Sequence, residues 1–232
     1  MNYREKKTIF KKLCKKGFAP SHVAEVGVYH PETSNIYDYV QMGVKTTFVE
    51  PNMSSIELIK KHFSGKNNIT LHEVAIYDRN EKIKLVQREA STFLSFLSTS
   101  PAIVNDEYII NDNDLFEVTA KRFDEIDDGT IDLLSVDVEG SEWYVIKNLV
   151  SRPAVISVET HGALYSNPNL EKITGWMKNN DYIIWYKDRS DTVYVKKGMF
   201  NITIMDKIKY LAHEVYLKFR TYKKLLKKKS KK

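Results

Sequence analysis

The chain contains one cysteine, Cys14, which excludes an internal disulfide and any zinc site built from a cysteine cluster. Such sparing use of cysteine favours a reducing compartment. No run approaches the roughly 18 apolar residues of a spanning helix. The N-terminal stretch MNYREKKTIFKKLCKK has no long apolar segment, so no secretory leader is expected. No repeat, low-complexity linker or Pro/Gly-rich hinge divides residues 17–200. The dinucleotide pattern G-x-G-x-x-G is also missing, which counts against a dehydrogenase. Positive charge is scarce in the body of the chain. Residues 207–232 carry eleven Lys/Arg against one acid, and residues 1–16 carry seven against one, leaving residues 17–206 at −10 within a chain of net charge +6. A nucleic-acid groove across the body would need clustered Lys/Arg there, so nucleic acid is not an expected partner.

What is present fits one globular domain with appended ends. The 232 residues are 42% apolar and 28% charged, too apolar for disorder and long enough to bury a core without staples. Short β-rich runs alternate with helix-length segments, as in an α/β sheet with crossover helices. Strands are predicted at His22–Gly27, Thr46–Glu50, Ile69–Ile76, Lys82–Val86, Ile131–Val136 and Val155–Val158. The near-continuous apolar run IDLLSV is that of a parallel strand covered on both faces. Helices are predicted over Ser141–Leu149 and Asn169–Asn180, the second placing Leu170, Ile173, Trp176 and Met177 on one face. Tyr182–Tyr186 and Thr192–Val195, joined by a turn-rich linker, predict an antiparallel hairpin at the sheet edge. Residues 88–116 mix Ser/Thr with Phe93, Phe96 and Tyr108 and read as a helix plus loop over the site.

Ligands in an open α/β sheet sit beyond the carboxyl ends of the strands. There, Gly27 would let the backbone approach a ligand, and Glu25 could engage the ammonium of a bound amino acid. Alone, this turn is equally what a tight strand-to-helix connection requires. Glu50 ends the second strand and suits hydrogen bonding to two ribose hydroxyls, with Pro51 and Asn52 beside it. Its alternative is an ordinary surface acid before a proline turn. Ala75 sits where an adenine could stack. The run Asp137-Val138-Glu139-Gly140-Ser141-Glu142 packs carboxylates at a strand end, costly unless they are hydrogen-bonded, paired or liganding a metal. A helix N-terminus near Ser141 could instead account for them. The next strand ends in Glu159-Thr160-His161-Gly162, placing His161 on the same rim, where a carboxylate and an imidazole could deprotonate a hydroxyl.

The segments EVGVYHPETS, FVEPN, HEVAIYD, IDLLSVDVEGSEWYVIKNL and ISVETHG together resemble the FkbM-type methyltransferases, a branch of the class I superfamily. The resemblance runs from about residue 20 to 197. IDLLSVDVEGSE is its most specific part. The first glycine motif departs most, since the family's usual Asp-Val-Gly-Ala-Asn with a second glycine two residues on is replaced here by Glu25, Val28, Tyr29 and Pro31. The resemblance implies a Rossmann-like fold with a seven-stranded, mostly parallel sheet, an antiparallel C-terminal hairpin and helices on both faces. It implies S-adenosylmethionine as cofactor, with Glu25, Gly27, Val28, Tyr29 and Ser34 at the methionine end, Glu50 at the ribose and Ala75 at the adenine. Asp137 would lie between cofactor and acceptor, with Glu139 close by. The activity implied is O-methylation of a hydroxyl on a sugar or natural product. In some class I O-methyltransferases a divalent cation lowers the hydroxyl pKa, and Asp137, Glu159 and His161 are the ligands to test for one.

The expected organisation is a basic N-terminal helix at 1–16, a methyltransferase domain at 17–200 and a basic amphipathic helix with its tail at 201–232. In the last, Ile204, Ile208, Leu211, Val215, Phe219, Tyr222 and Leu226 recur at helical spacing among lysines. A helix of this kind can lie on a membrane surface, pack on its own domain, or dock an anionic glycan or a partner protein. The expected function is O-methylation of a sugar hydroxyl in a glycan, polysaccharide or glycolipid, in the cytoplasm and with peripheral contact to the inner face of a membrane. The alternatives are a natural-product O-methyltransferase, a non-catalytic scaffold on the same fold, or an enzyme of another nucleotide such as a glycosyltransferase. The one Asp-x-Asp, Asp112-Asn113-Asp114, lies in the 88–116 insertion and away from a strand end.

Overall fold

The computed structural model describes residues 6–88, 91–162 and 164–229; the expected basic ends are thus described from residue 6 and up to residue 229. Strands β1 (His22–Val26), β2 (Lys45–Val49) and β3 (Ile69–His72) run parallel on one side. A second sheet carries β4 (Ala75–Ile76), β5 (Glu81–Arg88), β6 (Ser91–Leu94) and β7 (Leu115–Lys121). The main sheet resumes with β8 (Leu133–Val136) and β9 (Val155–Glu159), then β10 (Tyr182–Lys187) and β11 (Asp191–Lys196). Its order is β10-β11-β9-β8-β1-β2-β3, with β9–β11 and β10–β11 antiparallel and the remaining neighbours parallel. The chain progresses outward from β1 in one direction and then restarts at β8 on its other side. That reversal opens a crevice at the carboxyl ends of β1 and β8.

Strand alternation divides the core into two layers. Val23, Leu133 and Val155 point to one face, and Ala24, Leu134 and Ile156 to the other. The first face is covered by α1 (Thr8–Lys15), α2 (Tyr37–Gln41) and α3 (Met53–His62), through Ile9, Leu13, Tyr39, Val40 and Ile59. The second is covered by α5 (Glu142–Ile146) and α6 (Leu170–Asn179), through Val145, Ile146, Ile173 and Met177. Because both faces are covered, β1, β8 and β9 are buried along their whole length.

Three expectations change. Ile69–Ile76 is not one strand: β3 ends at His72, whose carbonyl takes the Glu50 amide at 3.0 Å, and the chain then crosses to the second sheet as β4. The 88–116 segment does contain a helix, α4 (Pro101–Asp106), but also β6 and the start of β7, and 112–114 form a 3-10 turn. Finally, α5 stops at Ile146 instead of reaching Leu149. The C-terminal helix α7 (Ile204–Lys229) lies against β10. Among the described residues, no helix is long and apolar enough to cross a membrane.

Candidate active site

A cavity of about 260 Å³ opens at the crevice between β1 and β8. Its floor is the turn after β1. Gly27 adopts φ +86°, and a Cβ there would lie 1.8 Å from the Asp137 carbonyl oxygen. The glycine is therefore demanded by the crossing of two strand ends as well as by access for a ligand. Glu25 is buried behind this turn, where Ser34 donates its hydroxyl to one carboxylate oxygen and the Asn35 amide donates to the other at 2.9 Å. Burial pushes Glu25 up to about 7, against the lowering effect of those two bonds.

The end of β2 supplies Glu50, which accepts the Val28 amide at 2.7 Å and the Asn52 amide at 2.8 Å. These bonds tie the β1 and β2 turns together and leave further lone pairs for ligand hydroxyls. Burial again outweighs them and lifts Glu50 to about 7. Val28, Tyr29, Ser34, Pro51 and Ala75 also line the cavity. Asn52 does not. Its side chain caps α3, accepting from the Ser54 and Ser55 amides at 2.9 and 3.3 Å.

Beyond β8 the chain turns sharply, with Glu139 at φ +56° and Gly140 at φ +108°. Glu142 holds this turn: one of its oxygens accepts the Val138 and Gly140 amides at 3.0 and 3.1 Å, while the other accepts from Asn167. Glu139 accepts the Ser91 hydroxyl at 2.9 Å, a link to β6 across the cavity. Asp137, Glu142 and Glu159 each bring one carboxylate oxygen within 4.8 Å of the others. Glu159 Oε2 is buried and has no hydrogen-bond partner among the described residues. Burial, then the neighbouring acids, raise Asp137 and Glu159 well above the usual carboxylate range, and burial lifts Glu142 to about 7.

Of the four residues expected on the catalytic rim, Asp137 and Glu139 line the cavity and Glu159 stands beside Asp137. His161 is not brought to it. Its Nε2–H donates to the Asp188 carbonyl at 3.1 Å and its Nδ1 faces the Thr160 hydroxyl at 2.9 Å, so both ring nitrogens are engaged outside the cavity lining. Burial lowers its pKa. In the carboxylate cluster Glu142 stands where His161 was expected. That set could offer a hard cation three oxygens, although Glu142 has already committed both oxygens to the turn.

Sequence reasoning missed the far wall. The β10–β11 turn contributes Asp188, Ser190 and Asp191, and the second sheet contributes Leu85, Thr92, Phe93 and Leu94. Asp191 is held by Ser157, Ser190 and Asn35 at 2.9, 3.0 and 3.3 Å, and burial pushes it up to about 6. The cavity lining thus carries six carboxylates, Glu25, Glu50, Asp137, Glu139, Asp188 and Asp191, and no Lys, Arg or His among the described residues. Such a lining disfavours a phosphate-bearing ligand and suits a cationic one.

The strand order, read with a cavity at its switch point, is that of a Rossmann-like class I methyltransferase. Residues 23–184 match the model of the methyltransferase FkbM domain, and the chain belongs to that family of S-adenosylmethionine-dependent methyltransferases. No curated protein matches the chain. Solved structures that it is similar to include a ribosomal protein L11 methylase from Lactobacillus delbrueckii subsp. bulgaricus (12% identity, 81% of this chain and 76% of that one, TM-score 0.42). TrmK of M. capricolum in complex with S-adenosyl-homocysteine gives 13% identity, 84% and 70% coverage and a TM-score of 0.40. A putative methyltransferase from Thermoplasma acidophilum gives 13%, 80% and 72%, and 0.39.

Proposed function

We propose that this chain transfers a methyl group from S-adenosylmethionine to a sugar hydroxyl of a glycan, polysaccharide or glycolipid. The observation that carries the cofactor half is the cavity lined by six carboxylates with no basic side chain among the described residues. S-adenosylmethionine carries a sulfonium and an ammonium against one carboxylate, a net cation that such a lining attracts. A sugar nucleotide or dinucleotide would bring phosphates into the same field, at a cost. Glu25 would face the ammonium through its remaining lone pairs, Glu50 the ribose hydroxyls, and Ala75 and Ile76 the adenine.

The acceptor half rests on the family resemblance and on the chemistry of the rim. Carboxylates accept hydrogen bonds from hydroxyls, and Asp137 and Glu139 line the cavity where an acceptor would meet the methyl. S-adenosylmethionine, bound there, would supply the methyl group, its carbon–sulfur electron pair staying with sulfur, and Asp137 would take the hydroxyl proton released as the acceptor oxygen is methylated. A raised pKa makes Asp137 a stronger base than a free aspartate once it is ionised. The protein's further share is to align methyl and oxygen in line.

Isothermal titration with S-adenosylhomocysteine tests the cofactor half, and absence of binding at high micromolar concentration would sink it. Asp137→Asn should keep that binding while methyl transfer falls by roughly 10²–10⁴-fold. Unchanged transfer would remove Asp137 from the mechanism. No loss of biological function on Asp137→Asn would instead favour a scaffold.

A further inference from the structure

Helix α7 is amphipathic, but it is mounted the wrong way round for a helix that belongs to the core. The side facing the body is Asp206, Tyr210, His213, Glu214, Leu217, Arg220, Thr221 and Lys224, recurring at spacings of three and four and mostly polar. Its contacts are polar too. Glu214 pairs with Lys187 at 2.9 Å, Asp206 with Lys16 at 2.6 Å, and Lys224 donates to the Asn105 carbonyl at 3.3 Å. His213 and Arg220 donate to the carbonyls of Asp188 and Arg189 at 3.0 and 3.1 Å, in the turn whose residues form the cavity rim.

The opposite side carries a continuous apolar row. Ile204, Ile208, Leu211, Val215, Phe219, Tyr222 and Leu226 are all exposed, by 48–77%. An apolar row of this length turned to water is unfavourable unless something covers it. Helical spacing sets Lys207 and Lys218 along one margin of the row and Lys209 and Lys223 along the other, all exposed, with the Lys223 ammonium 4.7 Å from the centre of the Phe219 ring. Lysines at both margins can reach outward past the apolar row. The occupant must therefore be apolar at its centre and anionic around it. A leaflet with anionic headgroups has that profile, with acyl chains below a negative surface.

We infer that α7 is an in-plane docking helix that seats this protein on an anionic lipid surface. At about 1.5 Å per residue the helix presents a long apolar ridge, and its polar inner face bonds to the turn at the cavity rim. The inference stands independently of the methyl-transfer reading.

The test is flotation of the full chain with phosphatidylcholine vesicles, with and without phosphatidylglycerol. Wild type is expected to float with the anionic vesicles and at least tenfold less with the neutral ones, about one to two lysine contacts' worth. Leu211→Ser/Val215→Ser/Phe219→Ser leaves the net charge unchanged and should lower binding to anionic vesicles by roughly tenfold or more. Lys207→Gln/Lys209→Gln/Lys218→Gln/Lys223→Gln should lower it comparably. Because these positions face outward, each variant should keep the melting temperature and the S-adenosylhomocysteine affinity of wild type. Failure of wild type to float overturns the inference, as does flotation unaffected by the serine changes. A stable dimer that the serine changes dissolve, without vesicle binding, assigns the row to a second copy and overturns it too. Vesicle binding without any S-adenosylhomocysteine binding would leave the docking standing and refute only the cofactor reading.

Discussion

A methyl group on Gly27 would collide with backbone, not with a flexible side chain, and would also have to sit at φ +86°. Gly27→Ala should therefore cost about 3 kcal/mol or more of folding stability in urea denaturation, with loss of S-adenosylhomocysteine binding following from it. A variant that folds normally and loses only binding would mean that the glycine serves the ligand alone. The buried acids around it set a second expectation. Glu25 and Glu50 are lifted to about 7 and Asp191 to about 6 by burial, so all three are largely protonated below those values and charged above them. The sulfonium distinguishes S-adenosylmethionine from its demethylated product, so the preference for S-adenosylmethionine over S-adenosylhomocysteine should grow with pH. Between about pH 5 and 8 the ratio of dissociation constants should move on the order of tenfold. A pH-independent ratio would show that these carboxylates do not sense the sulfonium.

At the scale of elements, α3 offers the cleanest separation of structure from site. Asn52 stands two residues after Glu50 in sequence, which is why it reads as a cofactor residue, yet its side chain is spent on the α3 amides. Asn52→Ala should cost about 1 kcal/mol of stability by chemical denaturation and leave cofactor affinity within about twofold. Affinity lost in larger proportion would return Asn52 to the site. The same contrast shows which elements could be read from sequence. β8 is legible because burial on both faces makes LLSV almost continuously apolar, and the β10–β11 hairpin because two β-rich runs flank a polar turn. β6 and β7 are not: STFL and LFEVTAK are half-exposed in a smaller sheet, and their polar residues mimic loop. Asp188 and Asp191 escaped for a different reason. Only the placement of β11 beside β9 carries that turn to the crevice, a long-range event that no local pattern records. His161 read as catalytic from its strand-end position, but the turn's Asp188 carbonyl claims its ring.

Over the whole molecule, the carboxylates that make the cavity attractive to a cation also destabilise the fold that holds them. Glu25, Glu50, Asp137, Glu142, Glu159 and Asp191 all have folded-state pKa values above their ordinary ones, burial being the first cause in each. The folded chain therefore keeps protons that the unfolded chain has released, and stability falls as pH rises through these values. Buried His22 and half-buried His72 and His161 are shifted down, so they act in the opposite sense, but only below their ordinary value of about 6.5. Asp206 is held down at about 2, because hydrogen bonds from Lys16 and Thr203 outweigh the penalty of its burial, and its effect lies at still lower pH. Between about pH 6.5 and 8 the raised carboxylates thus set the trend, and the melting temperature should drop by several degrees across that range. A bound cation relieves the repulsion where it is greatest, so S-adenosylmethionine should raise the melting temperature more at about pH 8 than at 6.5. The alternative source of relief is a divalent cation at Asp137, Glu142 and Glu159. Magnesium or manganese added without cofactor would then reproduce the pH-dependent gain in wild type and lose it in Glu159→Gln. If neither cofactor nor metal shifts the melt more at high pH, the cluster holds its charge by sharing protons within the fold.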